Sequence, residues 1–380
     1  MARRRELNDK PIIPGLPDDV AYSCLARVSH GNHGLLEVVC KKWKDVFRSS
    51  DYSNLKAREG WCGNWLFVLT EGDNTEWIAY DPDADRWHPL PKIPTFNPGW
   101  HHDGFSCISV RNRFLVIGGC YTPEPLSPHQ KPLITNEVVE FNPFKKEWRR
   151  KASMKTPRSN FACCVVGGKV YVAGGRTSST SRGIDLAEVY DPVEDRWKEL
   201  PTMPTAQMDC IGLSIKNRLH VLSDQVGLPD HNTSELYDPL DRSWRTVGDI
   251  WPFSKAMQVA VTVVRGDRIF TLVDCGESCI KRRDTDQGQW SNVGPVPLVT
   301  LTDHTRSLEA FGYGFAALGS DLYVVGGKVL KWEATGRFDI VKLNLVRICD
   351  PTVLPLKWRE TRPMYGLARG AVVASATLEE

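Results

Sequence analysis

The chain has no run of eighteen apolar residues, and no signal-type apolar stretch follows its first methionine. Neither a membrane-spanning helix nor entry to the secretory path is therefore expected. Charge of one sign is not in excess either: 48 basic side chains face 46 acidic ones, a net of +2, which gives no electrostatic footprint for nucleic acid. The N-terminal Arg3-Arg4-Arg5 is too short to change that and reads as a solvated end. The eleven cysteines are odd in number and scattered without framework spacing, as in a reduced cytoplasmic or nuclear protein. Neither Cys163-Cys164 nor the pair Cys275 and Cys279 has the paired spacing of a zinc site. The sequon Asn232-Thr233-Ser234 has no meaning outside the secretory path. Catalytic signatures are missing too: there is no Walker loop, nucleophile elbow or His-Glu-x-x-His. The dense titratable cluster His101-His102-Asp103 lacks a third and fourth metal ligand. No metal, cofactor or catalytic residue is expected.

What the chain does have is a recurring tryptophan. Trp87, Trp148, Trp197, Trp244, Trp290 and Trp358 each end a segment of the type aromatic-Asp/Asn-Pro-x-x-x-x-Trp or a decayed form of it. Tyr80-Asp81-Pro82, Phe141-Asn142-Pro143, Tyr190-Asp191-Pro192 and Tyr237-Asp238-Pro239 open the four clear copies. Arg283-Asp284-Thr285 and Cys349-Asp350-Pro351 open the two weaker ones. The intervals of 61, 49, 47, 46 and 68 residues describe a unit of just under fifty with insertions, a period of propellers and solenoids. Within one unit, Phe161 to Val166 alternates as a strand, Gly167-Gly168 turns, and Lys169 to Ala173 is a second strand ending at Gly174-Gly175. Ala187 to Tyr190 and Arg196 to Leu200 supply two more. Four-stranded sheets of this kind bury both faces only when stacked around an axis, and the tryptophans are then packing between blades.

Double glycine, an aromatic-Asp-Pro turn and a tryptophan at this period resemble the kelch repeat, over residues 66–377 and most specifically in the second, third and sixth copies. The resemblance implies an all-β, six-bladed kelch β-propeller. The first copy has strands at Leu66 to Thr70 and Trp77 to Tyr80 but no innermost strand, whereas a spare alternating segment lies within 368–377. A C-terminal strand closing the first blade is expected, which would remove an open sheet edge.

The leading residues break the pattern. Asp18 and Asp19 suit the positive end of a helix, and Val20, Cys24, Leu25 and Val28 follow at helical spacing. After a Gly-rich break at His30 to Gly34, a second helical run carries Leu35, Leu36, Val38, Val39, Trp43, Val46 and Phe47. So short a segment cannot bury this surface alone. Leu16-Pro17-Asp18-Asp19 and Val39-Cys40-Lys41-Lys42-Trp43-Lys44-Asp45-Val46 resemble a small all-α F-box module over residues 12–52, after a disordered tail at 1–11 and before a short connector at 53–65. That resemblance implies docking on the Skp1 adaptor of a cullin-RING ubiquitin ligase. The matching contact positions are Leu16, Pro17, Val20, Leu25, Val28, Leu36, Val39, Cys40, Trp43 and Val46.

The two resemblances together imply a non-catalytic substrate receptor in the cytoplasm or nucleus: the helical module holds the ligase and the propeller holds a protein client, with rate gained from proximity. A copper-oxidase-like propeller and a cytoskeletal scaffold are the alternatives, and both leave the helical module unexplained. Client contacts are expected on loops entering the innermost strands and following the double glycines. These carry His102, Asp103, Ser159, Asn160, Met208, Asp209, Phe311 and Arg369, with Tyr121, Arg176, Gln225 and Lys328, a mixed polar and aromatic set suited to a protein surface.

Overall fold

Alternating Val, Leu and aromatic residues between Gly and Asx turns fold into six antiparallel blades, with one small further sheet beside the second. The computed structural model describes residues 11–71, 76–94, 100–123, 131–223, 233–248, 258–265, 268–275, 277–284, 288–299, 309–332, 337–366 and 368–378. Five sheets have four strands each and the sixth has five. The third blade is the simplest: Ala162–Val166, Lys169–Ala173, Ala187–Asp191 and Arg196–Glu199 pair in order. In the first blade the outer three strands are Trp65–Thr70, Ile78–Asp81 and Arg86–Pro89, and the innermost is Val372–Leu378 from the other end of the chain. The latter runs antiparallel to the first strand, from Trp65 opposite Leu378 to Thr70 opposite Val372.

Each part of the repeated motif has a physical task. The Asx carboxylate or amide caps the turn that follows it: Asp191 Oδ1 accepts from the amides of Val193 and Glu194 at 2.9 and 3.3 Å, and Asn142 Oδ1 from those of Phe144 and Lys145 at 2.9 and 3.2 Å. The aromatic residue packs on its tryptophan, with ring centroids 4.9–5.2 Å apart in the first four blades. The tryptophan reaches across to the preceding blade. Trp148 Nε1 donates to the Pro91 carbonyl at 2.7 Å, Trp197 to Ala152 at 2.8 Å, Trp244 to Pro201 at 2.7 Å and Trp87 to Arg362 at 2.9 Å. In all four the acceptor is the fourth residue after the neighbouring blade's tryptophan. The last of these bonds joins the sixth blade to the first and closes the ring.

The second glycine of each pair allows blades to interlock. Gly119, at φ +102°, would bring any Cβ to 2.8 Å from the Asp103 carbonyl, and Gly175, at φ +93°, to 2.7 Å from that of Ser159. Their amides bond to Arg158 O and Gln207 O, both at 2.9 Å, residues that lead into the next blade.

The helical module comprises α1 (Asp18–Ala26), α2 (His33–Leu36), α3 (Lys41–Phe47) and α4 (Ser50–Arg58). The stretch 53–65, expected to be a connector, is helical through Arg58 and joins the sheet at Trp65. Ser49 starts this last helix by accepting from the Tyr52 amide at 3.2 Å, and the helix turns Tyr52 and Lys56 inward, both buried. Their spacing of four residues puts them on one face, which is why α4 belongs to the module core.

Candidate functional site

The middle of the module, the expected break at His30 to Gly34, is where it seats on the propeller. His30 packs on Phe144 and Trp65, with centroids 4.3 and 6.3 Å away, and the Ser29 hydroxyl donates to Asp81 Oδ2 at 2.5 Å. Gly31 lies so close to His88 that a Cβ would sit 2.4 Å from its Nε2. Inside the module, the Tyr52 hydroxyl donates to the Leu25 carbonyl at 2.9 Å and lies 3.0 Å from His33 Nε2. The Lys56 ammonium donates to the Ala26 and Val28 carbonyls at 2.7 and 2.8 Å, so that with the Tyr52 bond three carbonyl acceptors at the end of α1 are satisfied. Burial holds His33 down at about 3 and pushes His30 well below the usual imidazole range, with Lys56 acting in the same direction.

Asp81, Phe144 and Lys146 lie at the first and second blades' turns between third and fourth strands, and His88 is in the first blade's fourth strand just after its turn. In a blade these turns lie on the opposite side from the double glycines. The module therefore sits under one face of the ring and leaves the double-glycine face open.

The module's other side is apolar and uncovered. Val38 is 81% exposed, Leu35 66%, Val39 60%, Val20 43% and Leu16 38%, and Pro17, Cys24 and Cys40 are exposed beside them. Of the ten residues expected to face an adaptor, Leu25 does not: it is 4% exposed and part of the module core. Leu36, Trp43 and Val46 pack partly against that core, Trp43 donating through Nε1 to the Ile12 carbonyl at 2.7 Å; Val28 is half-buried. Leu35 and Val38, not among the expected contacts, are the most open apolar residues of the module. Helical spacing alone cannot tell the inward stripe of so small a bundle from its outward one.

On the double-glycine face the expected residues group by blade contact. Arg176 grips Asp209 through two bonds, Nε to Oδ1 at 3.0 Å and Nη2 to Oδ2 at 2.5 Å, and pairs by a bridge with Ser159. Asn160 is exposed beside them and takes the Cys210 amide on its carbonyl at 2.9 Å; Met208 is half-buried. His102 is sandwiched between Phe105 and Tyr121, with centroids 4.7 and 4.2 Å away. Its Nε2–H donates to the Gly118 carbonyl at 2.8 Å, and burial pulls it down to about 4. Tyr121 and Ser159, expected as contacts, are 4% exposed each and support the rim from below. Asp103 and Arg369 are exposed. Lys328 lies over the Phe311 ring at 6.0 Å and bonds to Glu71 at 2.5 Å. Gln225 lies outside the described residues.

Two raised sheets on this face were not legible in the repeat. Trp100–Asp103, Cys120–Pro123 and Leu133–Ile134 form a small sheet above the second blade. In the sixth blade the long strand Asp321–Trp332 pairs at its far end with Phe338–Lys342. Leu133, Phe338 and Ile340 are exposed apolar residues on these extensions, which flank the first blade and its Glu71. Among the described residues no group of three or more His, Cys, Asp or Glu could hold a metal ion, and no helix is long and apolar enough to cross a membrane.

A model described as Kelch motif matches residues 157–204, the span of the third blade. An F-box/kelch-repeat protein of Arabidopsis thaliana is 60% identical over 375 residues, covering 98% of each chain. The Arabidopsis F-box/kelch-repeat protein SKIP30 is 31% identical over 376 residues, covering 97% of each. A solved structure titled "Structure of YjhT" superposes with a TM-score of 0.50 over 75% of this chain and 88% of its own, at 13% identity, a likeness of fold alone.

Proposed function

The chain belongs to the F-box/kelch-repeat family, and from that premise we propose that it is the substrate-recognition subunit of a Skp1-cullin-F-box ubiquitin ligase in the cytoplasm or nucleus. The carrying observation is the two-sided module: one side is locked onto the ring through His30, Phe144 and the Ser29–Asp81 bond, and the other offers Leu16, Val20, Leu35, Val38 and Val39 to solvent. Exposed apolar residues grouped in this way mark a partner surface, and a helical adaptor groove suits them. The propeller's open face, lying on the far side from the module, takes a protein client through Arg176–Asp209, Asn160, Phe311 and the raised sheets. No acid, base or nucleophile of this chain is needed, since ubiquitin transfer gains from held geometry.

The test is capture of a Skp1-type adaptor by the full-length chain. Leu35→Asp/Val38→Asp should abolish capture and leave the melting temperature unchanged, because both side chains are exposed. Equal capture by the double variant would discard the receptor reading. Affinity purification with and without proteasome inhibition then identifies clients that accumulate only when degradation is blocked.

A further inference from the structure

A cavity of about 210 Å³ lies at the joint between the module and the propeller. Trp65, Phe67, Leu90 and Phe141 form its apolar wall, and three nitrogen-bearing side chains, His30, His88 and Lys146, line the rest. His30 makes no hydrogen bond to either of the other two. His30 is 4% exposed, and neither of its ring nitrogens has a hydrogen-bond partner that meets distance and angle together. His88 Nε2 is likewise buried without a partner. The acids nearby are already engaged: Glu37 is held by Arg48 Nε and Nη2 at 3.0 and 2.7 Å, and Asp81 takes Ser29 together with the amides of Asp83 and Ala84. Buried polar nitrogens without partners are costly and need an explanation.

We propose that this cavity binds a small aromatic carboxylic acid, its ring on the Trp65–Phe141 wall and its carboxylate against Lys146 and the two imidazoles. The size fits. A dry apolar cavity of about 150 Å³ holds benzene, so this one takes one or two fused rings. The chemistry fits equally, because a carboxylate offers only acceptors, which is what two unpartnered imidazoles and an ammonium lack. A bound acid touches His30 and Gly31 of the module and the first two blades at once, and so stiffens the joint between them. The site stands apart from the adaptor face and from the client face, and does not depend on what either binds.

The probe is 2-naphthoate, with 2-naphthamide as its neutral isostere, titrated calorimetrically into the full-length chain. At a ligand efficiency between the limits for the smallest and for drug-sized ligands, thirteen non-hydrogen atoms give a dissociation constant of roughly ten to a hundred micromolar. Loss of the charge-assisted contact should weaken binding about tenfold or more, whether by the amide or by Lys146→Gln. Ala79→Val, which narrows the cavity, should weaken acid and amide alike. Absence of saturable binding at millimolar naphthoate, equal binding of acid and amide, or unchanged binding by Lys146→Gln would each overturn the proposal. Should the valine variant fail to fold, the amide and Lys146→Gln still decide.

Discussion

Arg158 and Glu188 form an ion pair that is closed to water, with side chains 0% and 1% exposed and Nη2 2.6 Å from Oε1. Arg158 Nη1 also donates to the Gly174 and Leu186 carbonyls, both at 3.0 Å, and Glu188 accepts from the Lys155 and Thr156 amides at 2.7 and 3.1 Å. Breaking a buried pair by removing one partner costs about 3–5 kcal/mol. In Arg158→Met the stranded carboxylate keeps its two amides, which puts the loss near the lower figure, about 3 kcal/mol. For a chain of this length that corresponds to a fall in melting temperature of about 5 °C, since each kcal/mol moves a 150–250-residue protein by about 2–4 °C and a longer one by less. Removing both charges in Arg158→Met/Glu188→Leu should be less harmful than the two single changes added together, by about 2 kcal/mol or more. Urea titration followed by tryptophan fluorescence and thermal circular dichroism measure both quantities. Because the Arg158 carbonyl receives the Gly119 amide and Ser159 bridges to Arg176, client capture should fail with stability while adaptor capture is kept. Additive single effects, or a melting point within about 1 °C of wild type for Arg158→Met, would refute the assignment of this pair as buried charges that compensate each other.

Three further outcomes follow from the same geometry. Leu25→Ala should cost about 2–4 kcal/mol in module stability, in contrast to the stability-neutral changes at Leu35 and Val38, and hydrogen exchange over residues 18–58 separates the two effects. His33 titrates at about 3 when folded and 6.5 otherwise, so below pH 6.5 the unfolded chain takes up a proton that the folded one refuses. Stability of the module should therefore fall on acidification from pH 6.5 toward 3, by at most about 1.4 kcal/mol per pH unit from this group, and His33→Leu should flatten that slope. Deleting residues 368–380 removes the partner of Trp65–Thr70 along its whole length and exposes a sheet edge; the product should aggregate on size exclusion, and a soluble monomer of unchanged melting point would count against ring closure by this strand.

The blades were legible because their signals are local. An Asx cap, an aromatic on its tryptophan and a glycine facing the next blade's carbonyl all act within or just beyond one repeat, so each copy announces itself even where the glycine pair has decayed to Ser223-Asp224. The module was legible in composition but not in orientation. Leu25 and Val20 share one helical stripe in the sequence, yet one closes the core with Phe47 and Tyr52 and the other faces water, a difference fixed by α4, whose residues 53–58 carry no helical signature in the sequence. The raised sheets came from insertions before Phe105, between Gly119 and Thr135 and after Gly327, where no repeat supplies a template. His102 was singled out for its chemistry, but the stacking of Phe105 and Tyr121 around it makes it a brace for the rim.

The indole-to-carbonyl bonds follow one local rule, with donor and acceptor both placed by counting from a tryptophan. At these four joints the joining information is thus written within the unit and not in any particular pair of neighbours. Lengthening a unit elsewhere, as the 61- and 68-residue intervals do, leaves the joints untouched, whereas a single residue added between Trp148 and Ala152 would misplace the acceptor for Trp197. A ring specified in this way tolerates large embellishments on its open face and almost none in five-residue segments along its perimeter, which is where sequence drift in such chains should be slowest.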